Sequence, residues 1–178
     1  MQVRGKVAKR FANDINTDYI IPAHILQESW DKQFFADHAF EGYDPSFVPA
    51  CRANKESIVV AADNFGCGSS REQAVYSIKY NNVVAVVAQS FPDIFFRNCL
   101  NNGLLPIQVS DTSKIFLGDE LEVDLESRRL TDVTTALHYP IAATDAAIEA
   151  MKRGGSLGFV RERLRQKLKA QPMKASSQ

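Results

Sequence analysis

The sequence predicts one α/β domain with a partly parallel central sheet and flanking helices, and three observations carry that prediction. Between residues 57 and 109, apolar strand-like runs alternate with segments of helical spacing, the pattern of βαβ units. Val83-Val84-Ala85-Val86-Val87-Ala88 is apolar without interruption, as befits a parallel strand covered on both faces. Leu121-Glu122-Val123-Asp124-Leu125 instead alternates apolar with acidic residues, so the later part of the chain adds a hairpin with one wet face.

In chain order, residues 3–11 read as the first strand, ended by the turn formers Asn13-Asp14-Ile15-Asn16-Thr17-Asp18. Tyr19-Ile20-Ile21-Pro22-Ala23 follows as a second apolar piece; taken alone, residues 13–23 read as an Asx-rich turn entering a strand. From His24 to Asn54 the composition becomes aromatic and irregular, with one short helix over 31–40. A loop of that length is functional or disordered, and its aromatic content argues against disorder. Strand 57–62, helix 71–80, a turn at Asn81-Asn82, strand Val83–Ala88, helix 92–101 and strand 104–109 then follow. Ser90 reads as an N-cap ahead of Pro92, and Gly103 falls just past the helix end. The hairpin turns at Glu126-Ser127-Arg128-Arg129 into Leu130-Thr131-Asp132-Val133. Two helical stretches, 144–153 and 158–167, flank Gly154-Gly155.

At 178 residues, with 45% hydrophobic and 24% charged residues, the chain is expected to form a single domain over 1–168 with a flexible tail over 169–178. The 21 basic residues are balanced by 21 acidic ones, which gives no footprint for nucleic acid. No apolar run approaches membrane-spanning length and the start lacks the apolar core of a signal peptide, so a cytoplasmic address is expected. Cys51, Cys67 and Cys99 stand far apart without a C-x-x-C pair, arguing against a disulfide framework, a zinc site or an iron–sulfur cluster held by this chain alone. No metal ligands are assigned here. Any metal must be held by another chain.

The residues with most chemistry are Asn64-Phe65-Gly66-Cys67-Gly68-Ser69-Ser70-Arg71-Glu72-Gln73-Ala74, which join strand 57–62 to the next helix. Gly66 and Gly68 let the backbone approach a ligand closely. Ser70 and Gln73 have capping-box spacing, placing the helix start near Ser70 with its N–H groups facing the turn. Arg71 adds a planar, permanent cation suited to a carboxylate or phosphate. Most Gly-Ser turns before helices are only turns, but these residue types together make an anion site at the carboxyl end of a strand. Nucleotide motifs do not fit: Arg71 stands where a dinucleotide fingerprint needs its third glycine, and the Gly-Lys-Ser/Thr of a P-loop is absent. Ser69 is followed by Ser70-Arg71, so it is not a nucleophile elbow either.

Combined with Asn13-Asp14-Ile15-Asn16-Thr17-Asp18-Tyr19-Ile20-Ile21-Pro22-Ala23, the turn becomes specific. The pair closely resembles the small-subunit family of isopropylmalate isomerase, or 3-isopropylmalate dehydratase, in the aconitase superfamily. The resemblance extends over about residues 3–109, including Ser90-Phe91, Phe95-x-Arg97-Asn98 and Asn102-Gly103-Leu104, and touches Gly154-Gly155. It implies an aconitase swivel-like β/β/α domain that caps an iron–sulfur large subunit, with no cofactor bound by this chain and a 4Fe–4S cluster on the partner. The implied reaction moves a hydroxyl between adjacent carbons of a small dicarboxylate by dehydration and rehydration. In its terms Ser69 is the catalytic base, Asp18 a second catalytic group, and Gly68, Ser70, Arg71 and Thr17 bind substrate.

The same resemblance suggests where substrate choice lies. Relatives acting on tricarboxylates place an arginine shortly after the Thr-Asp motif, and here Gln27 stands at about that position, after His24. Without the arginine a third carboxylate would be buried unpaired, so an alkyl-bearing substrate is favoured. That points to 2-isopropylmalate, ahead of 2-methylmalate, 2,3-dimethylmalate or homoaconitate, and to a substrate loop over about 24–54 containing His24 and Gln27. His38 and His138 read as surface or packing residues, Cys67 as a small side chain between glycines and Cys99 as core. An anion-binding regulatory module without chemistry is the non-enzymatic alternative.

Overall fold

Val59 and Ala61 face one side of the central sheet and Ile58 and Val60 the other, all of them buried, because β2 (Ser57–Ala61) is covered on both faces. The structure, a computed structural model, describes residues 1–153; the helix expected over 158–167, Gly154-Gly155 and the tail 169–178 lie outside them. One seven-stranded sheet organises the described residues. It consists of β1 (Gln2–Phe11), β2, β3 (Val83–Ala88), β4 (Leu105–Gln108), β5 (Glu120–Asp124), β6 (Arg129–Asp132) and β7 (Leu137–Pro140), in the spatial order β4-β3-β2-β1-β5-β6-β7. Pairings among β1 to β4 are parallel, while β1–β5, β5–β6 and β6–β7 are antiparallel. The partly parallel sheet and the 121–133 hairpin are as expected.

Helices lie on both faces. On one, α1 (Thr17–Ile20), α2 (Lys32–Asp37), α3 (Phe47–Arg52) and α4 (Glu72–Lys79) pack their apolar residues with Phe11, Val59, Phe65 and Val86. On the other, α6 (Asp145–Lys152) sets Ile148 and Met151 against Ile58, Val87 and Leu121. Helix α5 (Asp93–Asn102) sits between the two layers, with Phe95 and Cys99 in the first and Phe96 and Leu100 against the second. Gly103 ends α5 at φ 68°, as its position after the apolar pattern predicts. Thr144 caps α6 by accepting the Ala147 N–H.

Three local expectations are corrected. Residues 17–20 form a helical turn instead of entering a strand, because the Asn16 side chain accepts the Asp18 N–H at 2.9 Å and caps it. The irregular stretch after His24 contains a one-turn 3₁₀ helix at Ile25–Gln27 and α3 as well as α2. Much of it is core wall: Phe40 and Phe47 are fully buried, and Phe40 stacks on Phe11 with ring centroids 4.7 Å apart. Finally, the hairpin extends into a third antiparallel strand, β7.

Candidate active site

The site forms where β2 ends and the chain corners at Asp63-Asn64. Ser90 braces this corner: its hydroxyl accepts the Asn64 N–H at 2.9 Å and donates to Asp63, and its carbonyl accepts the Phe65 N–H at 3.1 Å. So Ser90 is not the cap of α5. Pro92 holds that position without a side-chain bond, and the Ser90 hydroxyl is committed to the corner.

Gly66 and Gly68 then carry the chain through φ +86° and +100°, angles that side chains resist. Close packing makes them necessary a second time. A Cβ on Gly66 would stand 2.2 Å from Phe95 Cγ, and one on Gly68 would stand 2.4 Å from Asn16 Oδ1.

The two sequence motifs meet along this turn. The Gly66 N–H donates to the Ile15 carbonyl at 2.8 Å, and the Thr17 N–H donates to the Cys67 carbonyl at 2.7 Å, around an isolated parallel bridge between Asn16 and Cys67. Thr17 is fully buried and reaches the site only through Ser69: its Oγ1 accepts the Ser69 N–H at 3.0 Å and lies 3.3 Å from Ser69 Oγ. Arg71 Nη1 donates to the Asp18 carboxylate and, at 3.3 Å, to the Ile21 carbonyl. Asp18 therefore aims Arg71. The remaining guanidinium nitrogens have no partner among the described residues.

The capping box expected between Ser70 and Gln73 does not form. Arg71, with extended backbone angles, occupies the cap position of α4, and no side chain caps the helix. Ser70 precedes the cap, its carbonyl bonded by Asn98 Nδ2 at 3.0 Å, and its exposed hydroxyl is unpartnered among the described residues. The outcome suits an anion better than the box would, since a free hydroxyl and an uncapped helix start face outward together.

A cavity of about 660 Å³ opens beside the turn, lined by residues 69–73 together with Trp30, Lys32, Phe35 and Tyr76. Trp30 is 92% exposed, and Lys32 Nζ lies 4.3 Å from the centroid of Tyr76. Trp30, Lys32 and Phe35 fall within the substrate loop expected over about 24–54, and the packing of α2 beside α4 brings that loop to the turn; Tyr76, on α4, was not expected there. Asn98 carried a signal, since it belongs to the Phe95-x-Arg97-Asn98 motif. His24 and Gln27 do not line the cavity. They stand exposed at the start and end of the 3₁₀ turn, with its buried residue Ile25 between them.

Among the described residues no group of His, Cys, Asp and Glu stands together to hold a metal. Cys51 and Cys99 are core residues; burial pushes the Cys51 thiol up to about 12 and raises Cys99 as well. Cys67 is half-buried in the turn, and burial, then the Asp14 charge, holds it as a thiol. His38 bonds Glu41 at 2.6 Å and His138 bonds Thr131 at 3.1 Å, both away from the turn.

Fold and site together define a swivel-type α/β domain that presents a Gly-Ser-Ser-Arg turn at the carboxyl end of a parallel strand. Residues 1–112 match the family model of the aconitase C-terminal domain. The chain is 41% identical over 155 residues to the 3-isopropylmalate dehydratase small subunit 1 of Archaeoglobus fulgidus, covering 86% of this chain and 94% of that one. It is 37% identical over 165 residues to the methanogen homoaconitase small subunit of Methanocaldococcus jannaschii, covering 92% and 94%. A crystal structure of a 3-isopropylmalate dehydratase from Methanocaldococcus jannaschii superposes with a TM-score of 0.82 at 35% identity, covering 96% of this chain and all of that one. The chain belongs to the aconitase C-terminal domain family, among its dehydratase small subunits. No helix of the described residues is long and apolar enough to cross a membrane.

Proposed function

We propose that the chain is the small subunit of a hydro-lyase that converts 2-isopropylmalate to 3-isopropylmalate by dehydration and rehydration, in leucine biosynthesis, and that it acts only with an iron–sulfur large subunit. The observation that carries this reading is the junction of Thr17-Asp18 with Ser69-Ser70-Arg71 beside a cavity of small-molecule size. Among the described residues no donor set fits a metal cluster. The Lewis acid that polarises the leaving hydroxyl is assigned to the large subunit as a 4Fe–4S cluster.

On this chain, the unpartnered Ser70 hydroxyl and the free edge of Arg71 take a substrate carboxylate, with Asp18 holding the guanidinium in place. Ser69, as alkoxide, takes the proton from the carbon alpha to that carboxylate. The electron pair of the C–H bond becomes the new double bond, the C–O bond on the neighbouring carbon breaks, and hydroxide leaves to be protonated as water. Rehydration reverses these steps with the positions of hydrogen and hydroxyl exchanged, and Ser69 returns its proton. A serine is a poor base in water, so the alkoxide depends on the uncapped start of α4 and on Arg71. Trp30, Phe35 and Tyr76 offer an apolar wall to the isopropyl group.

One observation favours a second substrate, homoaconitate. Lys32 places an ammonium on the cavity wall where a further carboxylate would need a cation, and it has no ion pair among the described residues. A panel of 2-isopropylmalate, 2-methylmalate, 2,3-dimethylmalate and homoaconitate, assayed on the complex reconstituted with its cognate large subunit, decides between them. Turnover of 2-isopropylmalate with the highest kcat/KM is expected; no turnover of any panel member overturns the reading. Ser69→Ala is expected to lower turnover by about 10³-fold or more with the complex intact. If the chain were a regulatory anion-binding module, that variant would change ligand affinity alone.

A further inference from the structure

Thr17 has no exposed surface, yet its hydroxyl is the nearest side-chain group bonded to Ser69. A threonine hydroxyl has one proton and two lone pairs. One lone pair is taken by the Ser69 N–H at 3.0 Å. For the proton two acceptors are in range, Ser69 Oγ at 3.3 Å and Asn16 Oδ1 at 3.4 Å. Asn16 Oδ1 is already engaged by the Asp18 N–H at 2.9 Å, so it competes weakly. The frame around this choice is rigid: the Thr17 N–H is bonded to Cys67 at 2.7 Å, and the bare Cα of Gly68 is what lets Asn16 approach.

Resting on the assignment of Ser69 as base, we propose that Thr17 is a positioning residue whose hydroxyl donates to Ser69 Oγ when Ser69 is an alkoxide and swings to Asn16 Oδ1 when Ser69 is protonated. No proton leaves Thr17 in this exchange. Neutral Ser69 has its own proton and can offer it to Thr17, so the pair is satisfied either way; an alkoxide accepts only, and Thr17 alone among the bonded side chains can then supply the donor. The bond is therefore stronger in the deprotonated state, which is the condition for lowering the pH at which Ser69 acts. The charged and titratable groups that share the cavity with Ser69 are Lys32 on α2, Arg71 in the turn, and Glu72 and Tyr76 on α4, with Asp18 on α1 bonded to Arg71 behind them and Cys67 two residues before Ser69 in the turn. None of them is bonded to the Thr17 hydroxyl among the described residues.

The test uses the reconstituted complex and compares Thr17→Val, which keeps the shape without the hydroxyl, with Thr17→Ser, which keeps the hydroxyl. Thr17→Val is expected to lower kcat by about 10²-fold with KM changed little, and to move the limb of the pH profile that reports deprotonation upward by about one unit or more. Thr17→Ser is expected to restore both within a few-fold. An unshifted limb in Thr17→Val, or a loss confined to KM, overturns the proposal. If Thr17→Val does not assemble, the same upward shift is required of Thr17→Ala. Ser69→Ala separates the two levels of the argument. Full turnover in that variant removes the base itself, whereas a dead Ser69→Ala beside an unaltered Thr17→Val removes only the role of Thr17.

Discussion

The sheet has two halves that obey different rules. From β1 to β4 the strands are parallel, helices lie over both faces, and the carboxyl end of β2 runs into the turn that carries Ser69. From β5 to β7 the strands are antiparallel; β5 alternates buried with half-buried residues, and β7 contributes no fully buried residue. None of the residues proposed to meet substrate lies in the second half. The match to the aconitase family model ends at residue 112, ahead of β5, whereas the dehydratase small subunits align over most of the chain. The comparison teaches that parallel pairing positions the candidate site. A parallel sheet needs crossovers, and crossovers leave helix starts and glycine turns together at one edge.

The sharpest way to break that contrast is Gly66→Ala. At φ +86° an alanine is strained, and its Cβ would meet the ring of Phe95, a core residue packed edge-on against Phe65 at 5.7 Å. Strain and overpacking together are expected to cost about 3 kcal/mol, or a fall in Tm of roughly 10 °C by calorimetry, with turnover lost as Ser69 shifts. A variant with wild-type Tm would mean that the turn is not wedged between the motif and α5.

The parallel half was also the more legible in sequence. Its central strands β2 and β3 are runs of Val, Ile and Ala with Ser57 as the one polar residue. The hairpin was equally plain, because β5 alternates. What escaped were elements made by their surroundings. Helix α3 contains Pro49 near its start, where an N–H would be unpaired anyway, and it exists because Phe47 and Cys51 share one buried face. Strand β7 has no apolar pattern and forms by pairing with β6, ending on Pro140 at the sheet edge. In the site, Ser69, Ser70 and Arg71 were read directly from their motif. Trp30 and Lys32 were legible only as part of the substrate loop over about 24–54, since they lie about forty residues upstream and come to the turn as α2 packs on α4. Counting along the chain selected Gln27 and His24 instead, and the 3₁₀ turn leaves both exposed.

Ion pairs sharpen the comparison at smaller amplitude. In the parallel half Lys9 on β1 holds Asp44 at 2.6 Å with both side chains largely covered, tying the segment before α3 to the sheet. Burial alone would raise the Asp44 carboxyl, but the bonds from Lys9 and Ser46 outweigh it and hold the group below its ordinary value. A depressed carboxylate adds stability that is complete above its unfolded value and is lost as pH falls through the folded one. Asp44→Asn is therefore expected to cost about 1 kcal/mol at pH 7, with the gap to the parent protein closing below about pH 4. The exposed Arg4–Glu120 pair, which ties β1 to β5, is the control: Glu120→Gln is expected to leave Tm unchanged at either pH. Melting curves at pH 7 and pH 3.5 read both.

The smallest effect has the opposite sign and comes from the antiparallel half. Ala136, exposed in the turn between β6 and β7, sits at φ +59°, a conformation that costs an alanine about 1 kcal/mol or more. Its neighbours explain why the chain accepts that cost: the Thr134 and Thr135 N–H groups both bond Asp132 Oδ1, and the Thr135 hydroxyl bonds Oδ2, so the turn is held from its base. Ala136→Gly removes the strain but returns part of the gain, because glycine makes the unfolded chain freer. The net expectation is about 0.5 kcal/mol of added stability, a rise in Tm of 1 to 2 °C, with kcat and KM of the reconstituted complex unaltered. Exchanging alanine and glycine at two positive-φ positions thus gives opposite results in the two halves. At Gly66 the missing Cβ lets the turn pack against α5, while at Ala136 the Cβ touches nothing that function uses. A change in kcat on Ala136→Gly would break that division, for it would show that the antiparallel strands, too, bear on the turn.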